Sequence, residues 1–88
     1  MTTKESSRAQ AVILEAVENQ IRKNDPRETK ETLDRLIQSG HTRADALRLI
    51  SGALASEMLE AMKGKGRFDN ARYVANLARL SKLPGDNK

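Results

Sequence analysis

The stretch DPRETKETLDRLIQSGHTRAD, residues 25–45, decides the fold of this chain. Its opening, Asp25-Pro26-Arg27-Glu28, has the composition of a helix start. Asp25 can accept a hydrogen bond from a first-turn amide, proline suits the first helical position, and Glu28 completes a capping box. These residues predict a helix that begins at residue 26.

The same stretch also ends that helix and begins another. Gly40 is the expected stop, because glycine takes the left-handed conformation of a helix C-terminus at little cost. Thr42, with Asp45 in the following turn, has the form of a second N-cap, and Asp69 is a third one further along the chain. Residues 25–45 therefore predict a helix, a short turn and a second helix.

Apolar residues recur at helical spacing along most of the chain. The apolar stripes include Val17, Ile37, Met58 and Tyr73, one in each predicted helix. Gly52 lies inside the third helix, where glycine costs about 1 kcal/mol relative to alanine, so it suggests close helix packing. We predict an all-α, compact, four-helix bundle-like domain with helices at about 7–23, 26–39, 43–63 and 70–81.

The length of 88 residues suits one small domain. We expect a single helical domain over residues 1–82, followed by a flexible C-terminal tail over residues 83–88. The two aromatic residues, Phe68 and Tyr73, are expected to lie in an otherwise aliphatic core.

The composition excludes several kinds of site. The chain has no cysteine, so disulfides, thiolate metal sites and cysteine nucleophiles are excluded. The longest apolar run, residues 11–14, is too short to span a bilayer, and residues 1–8 lack the apolar segment of a secretory signal. We therefore expect a cytoplasmic protein that has no cofactor and no membrane partner.

The net charge of +4 is unevenly placed. Residues 1–62 carry nine Lys and Arg against ten Asp and Glu, whereas residues 63–88 carry seven against two. The basic segment 63–82 is therefore a candidate site for nucleic acid or another polyanion. The alternative is a solvated loop and helix face, because charge alone gives only sequence-independent attraction. The candidate residues are Lys63, Lys65, Arg67, Arg72, Arg79 and Lys82.

Glu57 falls inside the apolar stripe of the third predicted helix. A buried carboxylate needs a partner or a raised pKa, so Glu57 is a candidate ligand or acid/base group. The alternative, which we favour, is a structural ion pair or hydrogen bond to a lysine, an arginine, Tyr73 or a helix end. His41 is the only histidine, and in the turn after Gly40 it is expected to be solvated rather than to bind a metal.

Leu14 and Leu59 fall outside the main apolar stripes. If they are buried, they widen the faces that pack in the core. If they are exposed together, they mark a surface for a partner or for a second copy of the chain.

Dispersed positions carry a family resemblance: Glu18-Asn19-Gln20, Asp25-Pro26, Arg35-Leu36, Ser39-Gly40, Glu57, Phe68-Asp69, Tyr73 and Leu77. Over about residues 10–80 the chain resembles a bacterial family of small all-helical domains of unknown function. The resemblance implies an all-helical fold and no particular activity.

Some related sequences carry histidines at positions that match four residues here, Gln10, Leu14, Ala44 and Arg48. None of the four is a histidine, although two candidate buried carboxylates, Glu18 and Glu57, remain. A histidine–carboxylate cluster inside a bundle makes chemical sense for such relatives. In this chain the set is broken, so the resemblance implies at most a degenerate metal or acid/base site, and we expect no bound metal.

The sequence thus contains the signals of a complete helical fold but no group of residues with the pattern of a catalytic site. We expect a protein-interaction module that is not an enzyme, with self-association included among its interactions. Nucleic-acid or polyanion binding through residues 63–82 is the first alternative, and a degenerate site at Glu18 and Glu57 is the second.

Overall fold

The computed structural model describes the backbone of residues 3–65 and 67–80, and the side chains of residues 8–64 and 67–80. These residues form four α-helices and a π-helical turn, with no strand among them, which confirms the predicted all-α architecture. The predicted end of the last helix at residue 81, the domain limit at 82 and the tail 83–88 lie outside the described residues. The elements are α1 (Thr3–Lys23), α2 (Arg27–Gln38), α3 (Arg43–Glu60), the π-helical turn (Ala61–Lys65) and α4 (Asn70–Leu80).

Two helix boundaries differ clearly from the prediction. α1 begins at Thr3 rather than at residue 7, because residues 3–6 hold no proline or glycine and extend the helix without a break. α3 ends at Glu60 rather than at residue 63 and passes directly into the π-helical turn. Gly64 lies in that turn, where glycine weakens a regular helix.

The start of α2 does not follow the predicted capping box. Pro26 occupies the N-cap position with extended backbone angles (φ −73°, ψ 148°), and no side-chain capping bond is present there. Asp25 therefore lies one residue too early to reach the first-turn amides, and the capping role predicted for it is wrong. The Pro26 carbonyl accepts a hydrogen bond from the Thr29 amide at 3.1 Å instead.

The first two helices both end at a residue with left-handed backbone. Asn24 (φ 56°) follows α1, and Gly40 (φ 109°) follows α2. The Gly40 amide donates to the Ile37 carbonyl at 3.0 Å, and the His41 amide donates to the Leu36 carbonyl at 3.1 Å. This pair of bonds is the Schellman arrangement, so the predicted stop at Gly40 is confirmed.

The other two predicted N-caps are confirmed. Thr42 Oγ1 accepts a hydrogen bond from the Asp45 amide at 3.1 Å, at the start of α3. Asp69 Oδ1 accepts one from the Arg72 amide at 3.2 Å, at the start of α4. Each side chain satisfies an amide that the first turn of a helix leaves without a partner.

α3 lies at the centre of the bundle and packs against α1, α2 and α4, while α2 also packs against α1 and α4. None of the described helices is long and apolar enough to cross a membrane. Most of the core is aliphatic. Its buried hydrophobic residues are Val17, Leu33, Leu36, Ala46, Leu47, Ile50, Ala53, Leu54, Ala61, Tyr73 and Leu77.

Three residues that the sequence places in the core are partly exposed. Ile37 and Met58 are 40% and 41% exposed, because each lies roughly a quarter turn from the centre of its stripe. Phe68 is 41% exposed, since it precedes α4 and rests its ring on Tyr73 at a centroid distance of 5.8 Å. Thr32 of α2 is buried instead, although a polar residue is not selected by apolar periodicity.

A polar cluster inside the bundle joins α1, α2 and α4. Tyr73 Oη and Thr29 Oγ1 each lie within hydrogen-bond distance of Gln20 Oε1, at 2.8 and 2.7 Å, and they are 3.2 Å from each other. Burial raises the pKa of Tyr73, and the hydrogen bond with Thr29 opposes this shift. The phenol therefore keeps its proton at neutral pH and can act as a donor within the cluster.

Gly52 does not mark close helix packing, and that prediction is wrong. A Cβ atom added at Gly52 would meet no heavy atom within 4 Å. The residue is exposed on α3, next to the groove described below.

Candidate functional site

Glu57 is fully buried in α3 and is held by residues at the start of α4. Arg72 Nε donates to Glu57 Oε1 at 2.7 Å, and Arg72 Nη2 donates to Oε2 at 3.0 Å. The Asp69 amide donates to Oε2 at 2.9 Å. An arginine and a helix end are two of the partners that the structural alternative predicted for this carboxylate.

These contacts also set the ionisation of Glu57. Hydrogen bonds from Arg72 lower the pKa of Glu57 below its ordinary value, burial opposes that shift, and the Asp69 amide and the Arg72 charge add to it. A lowered pKa is the opposite of what a general acid at neutral pH needs. The carboxylate is therefore a charged structural group that fastens α4 to α3.

The prediction that Glu18 is buried is wrong. Its side chain is 35% exposed. Arg43, the first residue of α3, donates from Nη2 to Glu18 Oε1 at 3.2 Å and from Nη1 to Oε2 at 3.4 Å. Glu18 and Glu57 thus belong to separate ion pairs on different helices. In the part of the chain that the structure describes, no group of three or more His, Asp or Glu residues could hold a metal ion.

The structure brings only some of the predicted cations together. Arg67 and Arg72 line a shallow pocket of about 370 Å³ at the start of α4. Asp69 lines the same pocket, and its negative charge disfavours an anion there. Arg72 is already engaged by Glu57, as described above.

The remaining cations of the basic segment do not line that pocket in the described part of the chain. Arg79 Nη2 donates to Asn76 Oδ1 at 2.6 Å, one helical turn away on α4. Lys63 is exposed in the π-helical turn. The side chain of Lys65 and the whole of Lys82 lie outside the described residues.

A groove of about 530 Å³ lies between α1 and α3. It is not among the sites predicted from the sequence. Most of the residues that line it are apolar or small: Ile13, Leu14, Ala44, Leu47, Gly52 and Ala55. The described polar residues in its lining are Gln10, Arg48 and Ser51.

Two of the polar residues in the groove have unusual surroundings. Among the described residues, Ser51 Oγ is the one buried side-chain oxygen or nitrogen that has no hydrogen-bond partner. Such an unsatisfied group typically costs roughly 1–3 kcal/mol. The Arg48 side chain is 80% exposed, and its nearest carboxylate is Asp45 Oδ1 at 3.5 Å. The Arg48 guanidinium therefore keeps hydrogen-bonding capacity that the chain itself does not fill, whereas the Ser51 hydroxyl is enclosed by the fold.

Exposed hydrophobic residues continue the groove surface along α3. Leu14 is 39% exposed on the α1 side, and Leu59 and Met62 are 57% and 78% exposed. Gly52, Ala55 and Leu59 follow one another at intervals of three and four residues, so they share one face of the helix. Leu14 and Leu59 are therefore both exposed, Leu14 in the lining of the groove and Leu59 one turn beyond Ala55 on α3.

The four positions at which some sequences related to the resembled family carry histidine all line the groove: Gln10, Leu14, Ala44 and Arg48. Glu18 and Glu57 are not among its described lining residues. Comparisons of the chain with known protein families, curated proteins and solved structures find no match. Membership of the bacterial family therefore stays a prediction.

The groove could not be predicted from the sequence, for a physical reason. Helical periodicity tells which face of each helix is apolar, but not how closely two neighbouring helices approach. Two signals pointed to it: Leu14 and Leu59 lie outside the stripes, and Gly52 stands in a helix interior where it costs stability.

Proposed function

We propose that this chain is a non-catalytic module that binds protein, and that its binding surface is the groove between α1 and α3. The observation that carries the proposal is the open apolar groove, which includes the exposed side chain of Leu14 and is continued along α3 by that of Leu59. Contiguous exposed apolar surface of this kind, with polar residues at its edge, is typical of protein–protein contact. The cytoplasmic location expected from the sequence is part of the proposal.

The state of the other candidate residues supports the same proposal. The carboxylates of Glu57 and Glu18 are each paired with an arginine, and Arg72 is used for one of those pairs. These groups therefore serve contacts within the fold. The groove, in contrast, has apolar surface and an exposed guanidinium at Arg48.

The variant Gly52→Leu tests the proposal by filling the groove. Gly52 is exposed and no heavy atom lies within 4 Å of a Cβ at this position, so the leucine side chain begins in open space outside the core. Leucine is favoured over glycine in a helix by roughly 0.5–1 kcal/mol, so we expect the variant to be more stable than wild type by about that amount. Loss of binding would then not result from unfolding.

The matched control is Ala75→Leu, which adds the same side chain at an exposed position of α4. Wild type and both variants are immobilised and exposed to lysate of the source cells, and retained proteins are quantified by mass spectrometry. We expect a partner that wild type and Ala75→Leu retain and Gly52→Leu loses. Light scattering on the same three proteins shows whether that partner is a second copy. Identical retained proteins and identical masses for all three would contradict the proposal.

A further inference from the structure

The length, residue size and charge of the groove between α1 and α3 indicate what kind of segment binds there. We propose that the occupant is an amphipathic α-helix of a partner protein, which lies along α3 with a small residue opposite Gly52 and an Asp or Glu beside Arg48. This inference rests on the proposed function and names the chemistry of the partner.

The length of the surface favours a helix over a small molecule. The row on α3 and the π-helical turn that faces the groove spans about 20 Å, at 1.5 Å per residue, and consists of Arg48, Gly52, Ala55, Leu59 and Met62. This length corresponds to roughly four turns of a partner helix. Two packed helices leave a groove between them into which the side chains of a third helix can fit, and an amphipathic helix presents a matching apolar stripe.

The size of the lining residues favours close approach of a backbone. Ala44, Gly52 and Ala55 have no side chain or a methyl group only, and the space above Gly52 is open. Glycine permits a neighbouring backbone to come near, so the partner residue that crosses here is expected to be small as well.

The charge of the lining favours an acidic partner. Arg48 is the one charged residue among the described residues that line the groove, and no carboxylate accompanies it in that set. Its ion pair with Asp45 joins two exposed side chains at 3.5 Å, and pairs of this kind are weak. A guanidinium offers a planar fork of donors that suits a second carboxylate. Electrostatic complementarity therefore selects Asp or Glu at this end of the partner helix.

A library of displayed helical peptides tests this inference. The peptides have about 18 residues, with a fixed apolar stripe and randomised residues at both ends and one helical turn in from each end. Wild type is the target, and Gly52→Leu removes peptides that bind elsewhere. We expect Asp or Glu to be enriched at one end and Gly, Ala or Ser one helical turn in from that end, because Gly52 lies one turn from Arg48. Enrichment of Lys or Arg at the ends, or no enrichment over the Gly52→Leu pool, overturns the inference.

A charge exchange then tests the role of Arg48. The Kd of a selected peptide is measured by fluorescence anisotropy against wild type, Arg48→Glu and the control Ala75→Leu. We expect Arg48→Glu to raise the Kd roughly two- to fivefold at low ionic strength, and a Lys in place of the peptide's acidic residue to reverse this loss. An unchanged Kd, or no reversal, contradicts the proposed pairing.

The outcomes separate this inference from the proposed function. If lysate partners depend on Gly52 while the selected peptides show no acidic preference, the inference fails and the proposed function stands. If a dimer forms that Gly52→Leu dissociates and no peptide is selected, the inference of a partner helix fails, because the occupant is a second copy. If neither lysate proteins nor peptides respond to Gly52→Leu, both fail.

Discussion

At the scale of single residues, Glu57 fixes the position of the fourth helix. Its carboxylate is buried on α3, yet both of its partners, Arg72 and the Asp69 amide, belong to the start of α4. Removal of one member of a buried ion pair is strongly destabilising, because the other charge is left without compensation. The sequence indicated the burial of Glu57 from its place in the stripe.

Acid should weaken this contact. Because the fold lowers the pKa of Glu57, its stabilising contribution is present above the ordinary value of 4.5 and is lost as the pH falls through the lowered value. We predict that Glu57→Gln lowers the Tm by roughly 10 °C at pH 7, and that this difference shrinks towards pH 3. Thermal unfolding at both pH values measures it.

The control for this prediction is Glu31→Gln, which removes a carboxylate from an exposed side chain of α2. We expect this variant to have almost the same Tm as wild type at either pH, since exposed ion pairs contribute little. A Glu57→Gln difference that stays the same between pH 7 and pH 3 would show that the ionised carboxylate is not what matters.

The sequence identified the class of partner for Glu57 but not the partner itself. The sequence places Arg72 in a basic segment because six of the residues 63–82 are Lys or Arg and one is acidic. Its actual role follows from the approach of α4 to α3, which brings together residues 15 positions apart. The pattern of apolar residues along one helix does not indicate where another helix packs against it.

At the scale of helices, boundaries could be predicted where the signal is local. Thr42, Asp69 and Gly40 act on amides and carbonyls within a few residues, and all three behave as predicted. Pro26 departs from its prediction, because its extended backbone makes it the N-cap itself and displaces Asp25. The exposure of Met58 depends on neighbouring helices, so the stripe alone could not settle it.

The polar cluster between α1, α2 and α4 should show energetic coupling. Tyr73 and Thr29 carry one hydroxyl proton each, so either residue alone can still donate to Gln20 Oε1. We predict that Tyr73→Phe and Thr29→Val each cost about 1 kcal/mol, and that the double variant costs more than their sum. Urea unfolding of the four proteins gives the coupling free energy. Simple additivity would mean that water replaces the lost donors.

At the scale of the whole molecule, the central position of α3 joins all of the helices. α3 packs against the other three helices, so loss of its packing exposes the core on every side. A fold built in this way cannot lose one layer while the rest remains intact. Small single domains with one core typically unfold in a single transition.

We therefore predict that the domain unfolds in one cooperative step. Tyr73 is the only tyrosine, the chain has no tryptophan, and Tyr73 is fully buried, so tyrosine fluorescence reports the core. Far-UV circular dichroism reports the helices. The two thermal transitions should coincide within error. A fluorescence change that precedes the loss of helix would contradict the prediction and would indicate that α4 separates first.

The surface that we assign to binding belongs to this largest scale. The sequence predicted the helices and most of the buried face of each, and it singled out Leu14 and Leu59 as residues outside those faces. The groove lies between α1 and α3, beside small residues such as Gly52 and Ala55. Its shape depends on how the helices pack, which no single stretch of sequence encodes.

The contact between Glu57 and α4 has a consequence for any phosphate that approaches the basic segment. The Asp69 amide and the Arg72 guanidinium are the donors that such an anion would use, and the chain's own carboxylate already binds them. A covalently tethered group has an effective concentration on the order of millimolar or more, and it does not diffuse away. The Glu57 carboxylate is thus an intramolecular competitor at the start of α4, and a free anion would have to displace it.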